Sequence, residues 1–358
     1  MTAARTPKTN QNPAVIMITS PLEREYVERI AAVDPQRTRV LYRPDLLPPT
    51  RYIADHHGVA GWSRGDAQER EWRDLLAQAD VLWDFYATAD ATPLQLSPRL
   101  AWAQTTSAGV GQWVRRLGLQ DSDVIVTTAS GVHKGPLTEF VFASLLFHVK
   151  RFRHLLAEQA AHRWERFSTG ELTGMNLAVI GPGRIGREVA RIGAAFGMTV
   201  WAMGRDNSPG RAAELGVARV VGLGELHDLL AWADCTVLCT PHTDETEQLI
   251  DRAAIAAIKP GAALINIARG QVIDEPAMIE ALQAGQLGFA AVDVVAEEPL
   301  SPDSPLWDMP NVVISPHSAS TAITENARIT DIFVHNLRCY LDGRIEEMTP
   351  VLDKARLY

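Results

Sequence analysis

The stretch Leu177-Ala-Val-Ile-Gly181-Pro-Gly183-Arg-Ile-Gly186-Arg-Glu-Val-Ala190 decides how this chain is read. A short apolar run, Asn176–Ile180, leads into a G-x-G-x-x-G loop, and a helical run, Ile185–Phe196, leads out of it. In a strand–loop–helix unit each glycine has a separate task. Gly181 permits the tight turn, Gly183 lets the backbone approach a pyrophosphate, and Gly186 lets the helix pack close to the sheet. Unpaired N–H groups at the helix start favour the anion. The stretch therefore predicts a dinucleotide site.

Outward from this loop the alternation continues in both directions. Strands are expected downstream at Met198–Met203, Cys235–Cys239, Ala263–Asn266, Gly288–Val292 and Val312–Ser315. Upstream, Ala14–Thr19, Arg39–Tyr42, Asp80–Phe85, Leu100–Gln104 and Val124–Thr127 form a first series, with a helix over Leu22–Val33. Strands separated by helical segments predict parallel sheets covered on both faces. The stretch Arg43–Asp66, rich in Pro, Gly and His, reads as a long irregular loop. Leu137–Gln159 reads as one long helix, apolar nearly all round in its first half, and such a helix is buried between domains or between subunits. Its portion Thr138–Val149 is the expected contact of a homodimer. The last helical segment, Thr321–Asp342, is expected to return to the first domain. The fold class is thus α/β, with two Rossmann-like doubly wound domains, one discontinuous over 1–136 and 321–358, the other over 137–320. Hinges near Gly135-Pro136 and Ser318–Thr321 would flank an active-site cleft.

Composition narrows the function. The chain has 358 residues, 46% hydrophobic and 22% charged, the mixture of a globular protein and not of a disordered one. No run is long enough to span a membrane. The net charge of −9 gives no global attraction for nucleic acid or an anionic membrane, so an anionic ligand must be held by individually placed groups. Three cysteines, Cys235, Cys239 and Cys339, are too few for a disulfide framework and point to a reducing cytoplasm. No His/Cys/Asp cluster has metal-ligand spacing, so no metal is expected. Met1–Pro13, polar and with two prolines, reads as a frayed, disordered tail.

The choice of dinucleotide falls to the end of the next strand, Val200-Trp-Ala-Met-Gly204-Arg205-Asp206. An NAD site places a carboxylate there for the ribose 2′-OH, and an NADP site offers Arg to the 2′-phosphate. Asp206 falls late for the first role, and Gly204 followed by Arg205 fits the second. NADP(H) is expected to be preferred over NAD(H).

Three motifs lie at the ends of later strands: Asn266-Ile-Ala-Arg269-Gly270, Val292-Asp293-Val-Val-Ala-Glu-Glu298-Pro299-Leu300, and Ser315-Pro316-His317-Ser-Ala-Ser320. Open α/β sheets bind ligands at such ends. In this order, with Thr105-Thr-Ser-Ala-Gly109-Val110, Ser130-Gly-Val-His133, Thr138-Glu139-Phe140 and Leu306-Trp-Asp-Met-Pro-Asn-Val312, the chain resembles the D-isomer-specific 2-hydroxyacid dehydrogenases, glyoxylate/hydroxypyruvate reductases among them. The resemblance covers nearly the whole chain beyond the N-terminal tail. It implies NAD(P)-dependent reduction of a small 2-oxo acid to the D-2-hydroxy acid, reversibly. His317 would be the general acid–base, Glu298 the carboxylate that fixes its tautomer, and Arg269 the group that polarises the carbonyl and binds the carboxylate. Backbone N–H groups near Gly109 and Val110 would bind the remaining carboxylate oxygens. For the cofactor it implies Gly181, Gly183, Arg184, Ile185, Gly186, Thr240, Pro241, Ile267, Asp293 and His317, with Ser320 and Thr246 as further candidates, and Arg205 added by the reading above. Asp293 would face the nicotinamide carboxamide.

Two departures accompany the resemblance. The family often continues Gly-Val with an acidic residue, whereas Gly111 follows Val110 here. Formate dehydrogenases of the superfamily carry Gln at the position of Glu298, so Glu argues against formate. For the substrate, Trp83-Asp84-Phe85-Tyr86 reads either as an aromatic pocket wall, suiting glyoxylate or an apolar or aromatic 2-oxo acid, or as strand core with Trp83 and Phe85 on one face. No basic residue in this stretch would grip a phosphate, with Arg51 and Arg64 in the preceding loop as the exceptions to watch. The alternative function is a dinucleotide-sensing, corepressor-like binding protein of the same fold, which turnover would distinguish from an enzyme.

Overall fold

The computed structural model describes residues 12–88 and 90–357, so the expected tail up to residue 11 lies outside the described residues. The chain divides into two compact units, Met1–Val132 with Thr321–Tyr358, and His133–Ser320. In the first unit, β1 (Ala14–Ile18), β2 (Thr38–Leu41), β3 (Val81–Trp83), β4 (Trp102–Gln104) and β5 (Ile125–Thr127) form a parallel sheet in the order β2-β1-β3-β4-β5. Every residue of β1 is buried, as befits a strand covered on both faces and written as a continuous apolar run. One face carries Trp83, Trp102 and Phe333, the last from the returning helix Glu325–Asp342, and Trp102 stacks on Phe333 at 4.7 Å. The other face packs Met17, Leu46, Trp72, Val110 and Val126.

The second unit holds β6 (Asn176–Ile180), β7 (Thr199–Met203), β8 (Arg219–Val221), β9 (Cys235–Leu238), β10 (Ala262–Asn266), β11 (Leu287–Val292) and β12 (Val312–Ile314). These seven parallel strands run in the order β12-β11-β10-β9-β6-β7-β8, the doubly wound dinucleotide order with its switch point between β6 and β9. Cys235 and Cys239 are strand packing, and burial pushes the Cys239 thiol up to about 12.

Four local expectations need correction. The single helix over Leu137–Gln159 is two, Lys134–Val149 and Phe152–Ala160, because Arg151 adopts a left-handed φ of 56°. Gly135 and Pro136 lie inside the first turn of Lys134–Val149, where proline's missing N–H costs nothing, and the unit boundary falls before them. The short strand β8, at the edge of its sheet, had no counterpart among the expected strands. Trp83 and Phe85 do not share a face: β3 ends at Trp83, Asp84 turns left-handed at φ 73°, and Phe85 packs with the opposite cluster. Trp83 is fully buried core.

Candidate active site

The glycine loop follows β6 at the switch point. Gly181 has φ +93°, and a Cβ there would lie 2.8 Å from the Thr240 nitrogen, so the loop can cross the end of β9 only without a side chain. A Cβ on Gly186 would lie 2.2 Å from the Gly181 carbonyl oxygen, which makes it the close-packing glycine. Gly183 differs: nothing lies within 4 Å of its Cβ position, so the space in front of the helix Arg184–Ala195 is open. That opening, at a helix N-terminus, fits a pyrophosphate. Arg184 starts the helix exposed, and Thr240 and Pro241 follow β9 across the switch point. Ile185 is half-buried, while the Ile267 side chain lies in the core beside Ile265 and Phe289.

At the end of β7, Gly204 sits against Pro182, whose ring carbons would be 3.1 and 3.2 Å from a Cβ at 204. That crowding disfavours the acidic side chain an NAD site places there. Arg205 is exposed and ion-paired with Glu245, its Nη2 2.8 Å from the carboxylate. Asp206 turns away to accept from Ser208 Oγ at 2.6 Å. Thr246 is committed locally, donating to the Pro241 carbonyl at 2.7 Å.

Arg269, Glu298 and His317 follow β10, β11 and β12, the neighbouring strands on one side of the switch point. His317 Nδ1 lies 2.8 Å from Glu298 Oε2. Against a carboxylate that nitrogen carries the proton and donates it, which leaves Nε2 for other partners. His317 has φ 54°, and its N–H donates to the Asp293 carbonyl at 2.8 Å. The Asp293 carboxylate, nearly buried, accepts from Ser315 Oγ at 2.6 Å and from the Ala319 N–H at 2.8 Å. Asp293 thus builds the turn that aims the imidazole, with Oδ1 engaged in that task.

The Arg269 loop is braced as tightly. Asn266 accepts from the Ala268 N–H and donates to the Arg269 carbonyl, both at 3.0 Å. A Cβ on Gly270 would lie 1.9 Å from the Val295 carbonyl, so the Arg269 loop rests on the backbone leading to Glu298. Burial lowers the Arg269 pKa, and the charges of Glu298 and Asp293 oppose that shift. A guanidinium stays protonated throughout, so Arg269 is a fixed cation. Among the described residues, no group of three or more His, Cys, Asp or Glu could hold a metal ion.

Gly109 and Val110 belong to the first unit, in the turn between β4 and the short helix Gly111–Arg116. Gly109 is exposed and Val110 buried. Thr106 Oγ donates to Asp84 Oδ2 at 2.9 Å, which ties this loop to the left-handed residue after β3. Of the two arginines in the preceding loop, Arg51 is locked on buried Asp55 through Nε at 2.8 Å. Arg64 is buried over Trp72 and donates to the Tyr86 hydroxyl at 2.8 Å.

A parallel doubly wound sheet with an Arg–Glu–His set on its ligand edge defines a dinucleotide-dependent class of protein, and comparison with known proteins names the family. Residues 142–319 match the model of the D-isomer specific 2-hydroxyacid dehydrogenase NAD-binding domain. A glyoxylate reductase of Aeropyrum pernix is 31% identical over 333 residues, covering 87% of this chain and 95% of that one. A D-3-phosphoglycerate dehydrogenase of Mycobacterium tuberculosis is 37% identical over 82% of this chain. The chain spans 59% of the length of that relative. A D-isomer specific 2-hydroxyacid dehydrogenase of Xanthobacter autotrophicus, solved with NADPH and MES, superposes with TM-score 0.73 at 26% identity, covering 97% of this chain and 99% of that one. The chain belongs to the D-isomer-specific 2-hydroxyacid dehydrogenase family.

Proposed function

We propose that this protein reduces a small 2-oxo acid to the D-2-hydroxy acid, reversibly, with NADPH preferred over NADH. The observation that carries the reading is the 2.8 Å His317–Glu298 contact beside Arg269 on the ligand edge of a dinucleotide-type sheet. Gly181, Gly183, Arg184 and Gly186 hold the pyrophosphate, with Thr240, Pro241, Ile185, Ile267, Asp293 and Ser320 lining the remainder of the cofactor site. Bound there, the reduced nicotinamide supplies a hydride to the carbonyl carbon. His317 delivers the proton from Nε2 to the carbonyl oxygen, while Glu298 holds Nδ1–H and steadies the cationic ring before transfer. Arg269 draws electron density toward that oxygen and binds the substrate carboxylate, and the Gly109 and Val110 amides take its other oxygens. In the reverse direction the neutral ring accepts the hydroxyl proton.

NADPH preference rests on the crowded Gly204 and on Arg205 beside it, and the Xanthobacter relative was solved with NADPH. Glyoxylate and hydroxypyruvate are the favoured substrates. Arg51 and Arg64 are both engaged, which argues against a phosphate-bearing substrate despite the similarity to phosphoglycerate dehydrogenases. Homodimerisation is expected around the segment 152–164. The helix Lys134–Val149 buries Leu137, Val141, Phe142 and Leu145 within its own unit, whereas Phe152, Leu155, Leu156 and Trp164 are exposed. Measured turnover of glyoxylate, hydroxypyruvate, pyruvate and phenylpyruvate with each cofactor tests the reading. The expected result is highest kcat/KM with NADPH and the small substrates; NADPH binding with no turnover of any substrate would favour a sensing protein instead.

A further inference from the structure

Gly111 has no need of glycine's torsional freedom, since its φ is not in the left-handed region; its need is for space. A Cβ there would lie 2.1 Å from the Leu357 carbonyl oxygen and 2.7 Å from Leu357 Cβ. The clash is with backbone, so no rotamer change relieves it. The segment that brings Leu357 to this point is fastened along its length. The Pro350 carbonyl accepts from the Thr128 N–H at 3.0 Å, Val351 bridges Thr127 antiparallel, and the Leu352 N–H donates to the Val126 carbonyl at 2.9 Å. Lys354 Nζ donates to the Ser122 carbonyl at 2.6 Å. Leu352 and Leu357 then pack in the same apolar cluster as Val110 and Val114.

We propose that Val351–Leu357 is a strap that positions the Gly109–Val110 amides, and that Gly111 is the residue that lets it close. On this account the departure from the family's acidic residue and the path of the C-terminal segment are one feature. Leu357 and Gly111 act through the loop and touch no reacting atom; they are positioning residues for the 2-oxo acid. The proposal rests on the reading of this loop as the carboxylate site.

The test compares four full-length or near-full-length proteins: Gly111→Ala, a chain ending at Arg356, the two changes combined, and Gly109→Ala. Gly111→Ala is expected to raise KM for hydroxypyruvate about tenfold through misplacement of the loop, with the Kd for NADPH unchanged. The shortened chain is expected to raise KM less. The combined variant should match the shortened chain, because the added methyl then meets no backbone. An unchanged KM for Gly111→Ala, or effects that multiply in the combined variant, would overturn the strap. Should Gly111→Ala fail to fold, the shortened chain decides alone: a raised KM at unaltered Tm supports the strap and an unaltered KM rejects it. Gly109→Ala separates the two levels. If it raises KM where Gly111→Ala does not, only the strap fails; if neither does, the carboxylate-site reading falls with it.

Discussion

In the unit His133–Ser320 the loops after β10, β11 and β12 lock onto one another, whereas in the other unit the loop after β4 is held from outside its sheet. Gly270 lies against the backbone before Glu298, Asn266 clamps the Arg269 turn, and Asp293 gathers the turn that carries His317. Each brace comes from within a few residues of a candidate catalytic group. The Gly109–Val110 loop instead depends on Asp84 from the end of β3 and on Leu357 from the end of the chain. On the proposed function, the groups that would do chemistry are fixed by short, hydrogen-bonded turns, while a group that would only bind is fixed by packing between remote segments.

This contrast can be broken by mutation, and His317→Ala should have the largest effect. Loss of the proton donor is expected to lower kcat about a thousandfold, with the Kd for NADPH unchanged, measured by steady-state rates and cofactor fluorescence. Arg269→Ala should come next, raising KM for the 2-oxo acid by about ten- to a hundredfold while also lowering kcat, since a charge-assisted pair is lost. Trp83→Ala sharpens the comparison from the other side. It should destabilise its unit by about 3–5 kcal/mol in denaturant titration, yet leave KM of the folded protein near wild type, because Trp83 is core. The smallest effect is expected at the cofactor's phosphate end. Arg205→Ala should weaken NADPH binding and spare NADH, whereas Glu245→Gln, which removes an exposed ion pair worth under about 1 kcal/mol, should tighten NADPH binding a few-fold.

Much of this architecture was legible in the sequence because buried parallel strands are written as apolar runs and the glycine loop fixes where one of them ends. The Arg, Glu and His motifs were legible for a similar reason, each closing a strand whose end can be located. Backbone conformation without a chemical marker is not legible. Arg151 and Asp84 turn left-handed with no glycine or proline to announce it, so the sequence pattern runs through one helix break and one strand end. Strand β8 is short and lies at an edge, where Arg219-Val-Val carries too little apolar signal. Asn266 and Asp293 sit in visible motifs, but their bracing role depends on which N–H groups face them. Gly111 is visible as a departure; its cause lies at Leu357, distant in sequence and adjacent in the fold.

The most direct test of the central claim is chiral analysis of the product formed from hydroxypyruvate and NADPH by the purified protein. The account predicts D-glycerate, formed in step with NADPH oxidation and lost in His317→Ala. L-glycerate, or NADPH bound without any product, would contradict it.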